Sequence, residues 1–420
     1  MSTRKHLVIG SGSAAVSALR EIRAHRPRDE ATLLTMEGHQ PYSPMALPYL
    51  VAGRKQRIPD LVRPGFFNEM GATLLTGTKA EGLDPEAKQV ICSGGRRESY
   101  DRLLIASGSE PVLQPVLESA EVPVFHVKDD CGPMLSLKKG SRATILGAGF
   151  VGMELAASLS EAGHRVEVIA PRERILRPYF DPALDPFLIR LFQDRGIQVA
   201  LNWGEATEVQ RSGGKFSARF ACGMEIETDL LVAATGVRPR TDFLQGSGIR
   251  INQGVVVDRG MRTSLPDVYA AGDVAETPNL LTGRYGLSLI LPSAVEQGRV
   301  AGSGMAGGDR RYEGWLSMNA FNFFGYMAVS LGEFMGDPED KVLEEGNPET
   351  RQYKKLVFRE GKLIGLNLFN VKADSGVLAH LIRRRIDVQG NEDLLLEKPG
   401  EAGLWLMQEA ERRDALSMER

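Results

Sequence analysis

The chain has 420 residues, 42% of them hydrophobic and 25% charged, with a formal net charge of −3. That length supports two or three domains, and the near-neutral charge gives no electrostatic footing for nucleic acid or an anionic membrane as partner. No stretch reaches the roughly 18 apolar residues of a membrane span; Cys92, Cys131 and Cys222 stand too far apart for a dithiol relay or an iron–sulfur ligand set, so a cytoplasmic protein with no bound metal is expected.

The first informative element is Leu7-Val8-Ile9 followed by Gly10-Ser-Gly12-Ser13-Ala14-Ala15. An apolar strand that turns through spaced small residues into a helix (Val16, Leu19 and Ile22 mark its face) is a dinucleotide-binding turn. The first glycine makes the sharp reversal, the second lets backbone approach a pyrophosphate, and the third small residue lets helix pack on strand. The helix N-terminus then offers free N–H groups to the phosphates. A second strand, Thr32–Thr35, ends near Glu37, about 20 residues on, where a carboxylate can grip adenosine ribose hydroxyls. The apolar run Leu103-Leu104-Ile105-Ala106-Ser107-Gly108 ends in small residues, and the proline-bearing stretch 111–140 reads as a crossover.

Residues 141–240 repeat the plan. Thr144-Ile145-Leu146 leads into Gly147-Ala-Gly149-Phe150-Val151-Gly152, with Val151, Leu155 and Leu159 at helical spacing. A second strand, Val166–Ile169, follows, and then Leu230–Gly236. Here Ala170 stands where an acid would read the ribose, and Arg172 and Arg174 follow; a nearby arginine accommodates a 2′-phosphate, or both are surface arginines. NADH and NADPH therefore both remain open. The alternation of strands and helices predicts an α/β fold with mostly parallel sheets, the second copy inserted into the first.

Residues 241–305 carry Tyr269-Ala-Ala-Gly272-Asp273-Val274 and a predicted helix from Ala294 to Met305. From residue 306 the pattern changes to alternating strands, including Lys355–Arg359 and Lys362–Leu368, a helix over about 375–386 and a charged surface helix near Leu404–Leu416. That is a separate α+β domain. The run Arg383-Arg384-Arg385 reads as a solvated face, with docking of an acidic partner as the alternative.

Taken together, Gly10–Ala15, Glu37, Ile105–Gly108, Gly147–Gly152 with Glu154, Ala234-Thr-Gly236-Val-Arg-Pro239 and Leu265–Val274 resemble the FAD-dependent pyridine-nucleotide–disulfide oxidoreductase superfamily over nearly the whole chain. The resemblance implies two Rossmann-like domains, FAD on 1–110 with 241–305, NAD(P) on 111–240, and a C-terminal interface or dimerisation domain over 306–420. It implies FAD contacts at Gly10, Gly12, Ser13, Ala14, Ala15, Glu37, Ser43, Pro44, Ala80, Ser107, Gly108, Gly272, Asp273, Val274 and Ala294, with Gln297 beside the flavin pyrimidine edge. NAD(P) contacts are implied at Gly147, Gly149, Phe150, Val151, Gly152, Glu154, Ala170, Arg172 and Gly236. Asp273 corresponds to the aspartate that binds the ribityl chain, although a Gly-Asp pair is in most proteins simply a turn. Glu154 corresponds to a residue near the nicotinamide, although a first-turn carboxylate also suits a helix dipole.

The stretch Gln40–Tyr49 is similar to the Cys-Gly-Leu-Pro-Tyr segment of coenzyme A disulfide reductases and NADH oxidases, with Met45 where their redox cysteine stands. A thioether forms neither sulfenate nor mixed disulfide, so Met45 is expected to pack at the flavin and no side chain is expected to act as a catalytic group. Hydride exchange between nicotinamide and flavin, with single electrons passing to an iron–sulfur partner, is the implied chemistry. Within the superfamily the chain is similar to NADH:acceptor flavoprotein subunits of larger complexes, such as that of phenylglyoxylate dehydrogenase, which favours NAD(H) over NADP(H). The alternatives are a stand-alone NADH oxidase, a ferredoxin reductase and a coenzyme A disulfide reductase-like enzyme.

Overall fold

The computed structural model describes residues 3–418. In chain order the elements that position the site are β1 (Lys5–Ile9), α1 (Ser13–His25), β2 (Glu30–Leu34), β3 (Ala72–Leu75), β4 (Arg102–Ile105), β5 (Arg142–Leu146), α2 (Phe150–Glu161), β6 (Arg165–Ile169), β7 (Gln198–Ala200), β8 (Leu230–Ala233), β9 (Val268–Ala270), α3 (Leu291–Ala306), β10 (Met318–Phe323), β11 (Tyr326–Gly332), β12 (Lys341–Asn347), β13 (Gln352–Arg359), β14 (Lys362–Phe369), α4 (Ser375–Arg383) and α5 (Pro399–Met418). They fall into two compact units: residues 1–46, 57–112 and 237–315, and residues 47–56, 113–236 and 316–420.

The first unit is built on a parallel sheet of order β9-β4-β1-β2-β3. Its central strands are buried on both faces, Leu7, Val8, Leu103, Leu104 and Leu33 being at most 1% exposed. That is why they read as continuous apolar runs rather than as an alternation. The strand β9, far along the chain, pairs with β4 in register Val268↔Leu103, Tyr269↔Leu104 and Ala270↔Ile105. The first unit is thus closed by chain that arrives after the inserted segment. The chain leaves and re-enters this unit through a two-stranded ribbon in which Ser109–Pro111 pairs antiparallel with Val237–Pro239. Glu110 holds that ribbon with charge-assisted contacts to Arg238 at 2.6 Å and Arg240 at 3.2 Å.

The second unit contains a parallel sheet of order β7-β6-β5-β8, the same arrangement around a central first strand. Its C-terminal part is an antiparallel sheet of order β10-β11-β14-β13-β12, followed by α4 and α5. The expected helix over 375–386 stops at Arg383, and the last helix begins at Pro399, earlier than its charged stretch suggests. Within this unit a buried ion pair joins Asp181 to Lys355 of β13 at 2.5 Å, both side chains being 9% exposed. Asn367 of β14 accepts from the Asp181 amide at 2.6 Å and donates to Ser330 of β11 at 2.9 Å. No helix among the described residues is long and apolar enough to cross a membrane.

Candidate functional site

The first glycine turn is shaped by backbone sterics. Gly10 has φ of +110°, and a Cβ there would stand 2.1 Å from the Ala106 carbonyl oxygen at the end of β4. Its amide donates to Leu34 at the end of β2 at 2.7 Å, so three adjacent strand ends converge on this one residue. Gly12 differs: its φ is an ordinary −71°, and a Cβ would meet nothing within 4 Å. Neither strain nor packing inside the protein demands a glycine at this position. No side chain caps α1, so its first-turn N–H groups face the open side of the turn. Ser13 opens the helix, and Ala14 and Ala15 are buried beneath it.

Two further elements meet this turn. Cβ atoms built on Gly298 and Gly302 of α3 would stand 2.2 Å and 2.5 Å from the carbonyl oxygens of Ala14 and Ala18, so α1 and α3 pack backbone to backbone. Gly272 lies between their first turns, its Cβ position 3.3 Å from the Ala14 Cβ and 3.9 Å from the Ala294 Cβ. The structure therefore brings Gly10–Ala15, Gly272–Val274 and Ala294 together. Ser109 donates to the Asp273 carboxylate at 2.9 Å, and the Gly272 amide donates to Gln297 at 2.8 Å. Gln297 is fully buried and its amide nitrogen faces Thr277, so its side chain serves the protein's interior rather than the edge of a ligand. That corrects the expectation for Gln297.

The remaining first-unit candidates are spread around this centre. Ser107 donates to the Arg240 carbonyl at 2.8 Å, and the Gly108 carbonyl accepts from the Arg240 amide at 3.0 Å, so both brace the crossover ribbon. Glu37 follows β2, its amide donating to Thr35 at 3.3 Å and its carbonyl accepting from Gly77 at 3.0 Å. Ser43 donates its amide to Pro59, Pro44 opens the short turn Pro44–Ala46, and Ala80 begins the strand Ala80–Asp84. Met45 is 64% exposed. It fills no gap among the protein's own side chains.

The second turn reproduces the first. Gly147 has φ of +115°, a Cβ on it would stand 2.3 Å from the Ala234 carbonyl oxygen, and its amide donates to Ile169 at 2.8 Å. Gly149 again has an ordinary φ of −80° and open space, over a helix with no side-chain cap. A Cβ on Gly152 would lie 2.0 Å from the Gly147 carbonyl oxygen. Glu154 is half-buried in α2, and burial pushes its carboxyl above the ordinary range. Ala170 is buried and donates its amide to Ala200, Arg172 is exposed, and Gly236 ends the β8 run with φ of +108°.

Phe150 packs on Tyr179, Phe180 and Phe321 with ring centroids 4.8, 6.1 and 6.1 Å away, while Val151 is 43% exposed. The Phe150 ring is thus part of an aromatic cluster that reaches the C-terminal sheet. Arg174 bonds Asp185 at 2.7 Å and the Phe180 carbonyl at 2.7 Å. It is neither an exposed surface arginine nor unpaired. Cys92 and Cys131 are buried and Cys222 is exposed. Burial pushes the Cys92 thiol up and the Cys131 thiol to about 11, which makes both poor nucleophiles. No metal-binding cluster of His, Cys, Asp and Glu occurs among the described residues.

The matched pair of turns agrees with comparison to known proteins, in which residues 4–298 match the family model described as pyridine nucleotide-disulphide oxidoreductase. The chain belongs to that family. It is 31% identical over 415 residues to the NADH-dependent phenylglyoxylate dehydrogenase subunit epsilon of Aromatoleum evansii, covering 97% of this chain and 98% of that one. It is 27% identical over 406 residues to the Bacillus subtilis nitrite reductase [NAD(P)H], covering 95% of this chain but only 49% of that relative. Among solved structures, the covalent putidaredoxin reductase–putidaredoxin complex superposes with a TM-score of 0.86 at 22% identity, over 94% of this chain and 96% of the other. That likeness establishes the fold: an α/β protein with two Rossmann-type sheets. The chain is an oxidoreductase of this family, whose typical cofactors are FAD and a nicotinamide nucleotide.

Proposed function

We propose that the chain is the NADH-linked flavoprotein subunit of a larger cytoplasmic oxidoreductase, moving electrons between a nicotinamide and an iron–sulfur partner. The observation that carries this reading is the pair of turns at Gly10–Ala15 and Gly147–Gly152. Each has a glycine, Gly12 or Gly149, that the protein's interior does not require and that leaves room over an uncapped helix N-terminus. Room of that kind fits a pyrophosphate, whose charge the helix end favours.

In this reading Gly10, Gly12, Ser13, Ala14 and Ala15 hold the FAD pyrophosphate and Glu37 holds its ribose. Asp273, with Gly272 and Val274, holds the ribityl chain, and the first turn of α3 at Ala294 lies toward the isoalloxazine. Ser43, Pro44, Ala80, Ser107 and Gly108 complete that site. Gly147, Gly149, Phe150, Val151, Gly152, Glu154, Ala170, Arg172 and Gly236 receive the nicotinamide nucleotide, and residues 306–420 form an interface with a second copy or a partner subunit. FAD, when bound, supplies the exchange between two-electron and one-electron carriers. The protein binds, orients and excludes water. In this reading no thiol intervenes: Met45 stands where the resembling enzymes carry their redox cysteine, Cys92 and Cys131 are buried, and Cys222, though exposed, lies far from that stretch in sequence.

The likeness to the NADH-dependent Aromatoleum evansii subunit along its whole length supports the subunit role and the preference for NADH. The test is anaerobic reduction of the purified yellow protein. Full bleaching by NADH at about two electrons per flavin, with turnover of a one-electron dye and no disulfide turnover, is the expected result. A protein that neither holds nor takes up FAD defeats the proposal, as does rapid disulfide reduction.

A further inference from the structure

We infer that Ser109 is a positioning residue for the flavin, acting through Asp273. The inference rests on the reading of Asp273 as a flavin contact and goes beyond it. The Ser109 side chain is 6% exposed, and its hydroxyl donates to the Asp273 Oδ2 at 2.9 Å across 164 residues of sequence. Asp273 sits on a turn whose other half is pinned separately, the Gly272 amide donating to the buried Gln297 at 2.8 Å. The two clamps divide the work. Gln297, on α3, fixes the backbone of the turn, and Ser109 fixes the direction of the carboxylate. A carboxylate that accepts a bond from a buried hydroxyl keeps fewer orientations, so less freedom is lost when it engages a ligand hydroxyl.

The location of Ser109 gives the clamp a second consequence. Ser109 is the first residue of the ribbon Ser109–Pro111 paired with Val237–Pro239, through which the chain leaves and re-enters the first unit. Its backbone is therefore set by the ribbon, which Glu110 holds to Arg238 and Arg240. The flavin-contacting carboxylate is thus referenced to the connecting ribbon as well as to its own loop.

The experiment is FAD titration of the full-length apoprotein, read by quenching of flavin fluorescence, for wild type, Ser109→Ala, Ser109→Thr, Asp273→Asn and the double variant Ser109→Ala/Asp273→Asn. Loss of a hydrogen bond to a charged group weakens FAD binding by about tenfold in Ser109→Ala. Threonine keeps the hydroxyl and restores the affinity. In the Asp273→Asn background the serine change costs much less than in wild type, because the two residues act as one. Thermal unfolding of the apoproteins is followed in parallel, and the affinity loss is expected to exceed any loss expected from a shift in melting. Wild-type affinity in Ser109→Ala beside weak binding in Asp273→Asn overturns the inference while leaving the function intact. So does equal weakness of the alanine and threonine variants, or full additivity in the double variant. Wild-type protein that takes up no FAD overturns both.

Discussion

Replacing Gly12 with alanine separates stability from cofactor binding. Its φ of −71° is open to any L-residue, and the added Cβ meets nothing within 4 Å. Removing a glycine from the unfolded chain stabilises by about 0.4–1 kcal/mol, and alanine is a poorer N-cap than glycine by a comparable amount, about 0.5–1 kcal/mol. The two terms offset, so apo-Gly12→Ala should unfold within about 1 kcal/mol of wild type. The methyl group nevertheless occupies the space where the proposed pyrophosphate would sit, and overpacking of about 1–3 kcal/mol there would weaken FAD binding roughly 5- to 150-fold. Gly10→Ala is the control. Its φ of +110° and the 2.1 Å approach to the Ala106 oxygen load the folded state itself, with about 1–2 kcal/mol of backbone cost before any clash is relieved. The assay is chemical denaturation of both apoproteins together with FAD titration. If Gly12→Ala binds FAD like wild type, or destabilises the apoprotein as much as Gly10→Ala, the account of the two glycines is wrong.

Two further outcomes follow from buried charge. Burial raises the Glu154 carboxyl, so the stability this group contributes is complete below the ordinary carboxylate range and is lost as pH rises through the raised value. Glu154→Gln should therefore melt alongside wild type below about pH 4 and gain on it toward about pH 8, and a gap independent of pH would show that the carboxylate carries no such penalty. Lys355→Ala leaves the buried Asp181 carboxylate without its cation and should cost about 3–5 kcal/mol in denaturant unfolding, most of it recovered in Asp181→Asn/Lys355→Met. A single-variant loss under about 1 kcal/mol would mean the pair is idle.

What was legible in the sequence was what leaves a local mark. Gly10 and Gly147 were readable because a strand that reverses into a helix under a neighbouring carbonyl excludes a side chain, and β1, β4, β5 and β8 because strands covered on both faces carry apolar runs without alternation at their inner ends. The apolar strand before Gly272-Asp273 was legible, but its pairing with β4, which closes the first sheet, was not, because no local spacing relates residues 103–105 to 268–270. The Ser109–Asp273 and Asp181–Lys355 contacts span 164 and 174 residues, and no spacing rule relates such positions. Arg174 was misjudged for a similar reason: Asp185, which engages it, lies beyond the turn at Phe180. Gln297 was misjudged because the helix begins at Leu291 rather than at Ala294, which places Gln297 in the second turn, where its side chain meets the Gly272 amide. The grouping of residues 47–56 with the inserted segment had no sequence mark at all.

The backbone contact between α1 and α3 bears on how the protein is made. Ala14 and Ala18 leave the ribosome early, but the glycines they rest against, Gly298 and Gly302, and the sheet edge supplied by β9 emerge only after the inserted sheet from β5 to β8 has been synthesised. The middle of the chain can assemble its sheet while the opening segment still carries an uncovered helix face and an unpaired β4 edge. For the length of that delay the nascent N-terminal segment is the adhesive part of the polypeptide, and a slowed translation of residues 237–306 lengthens its exposure to wrong partners.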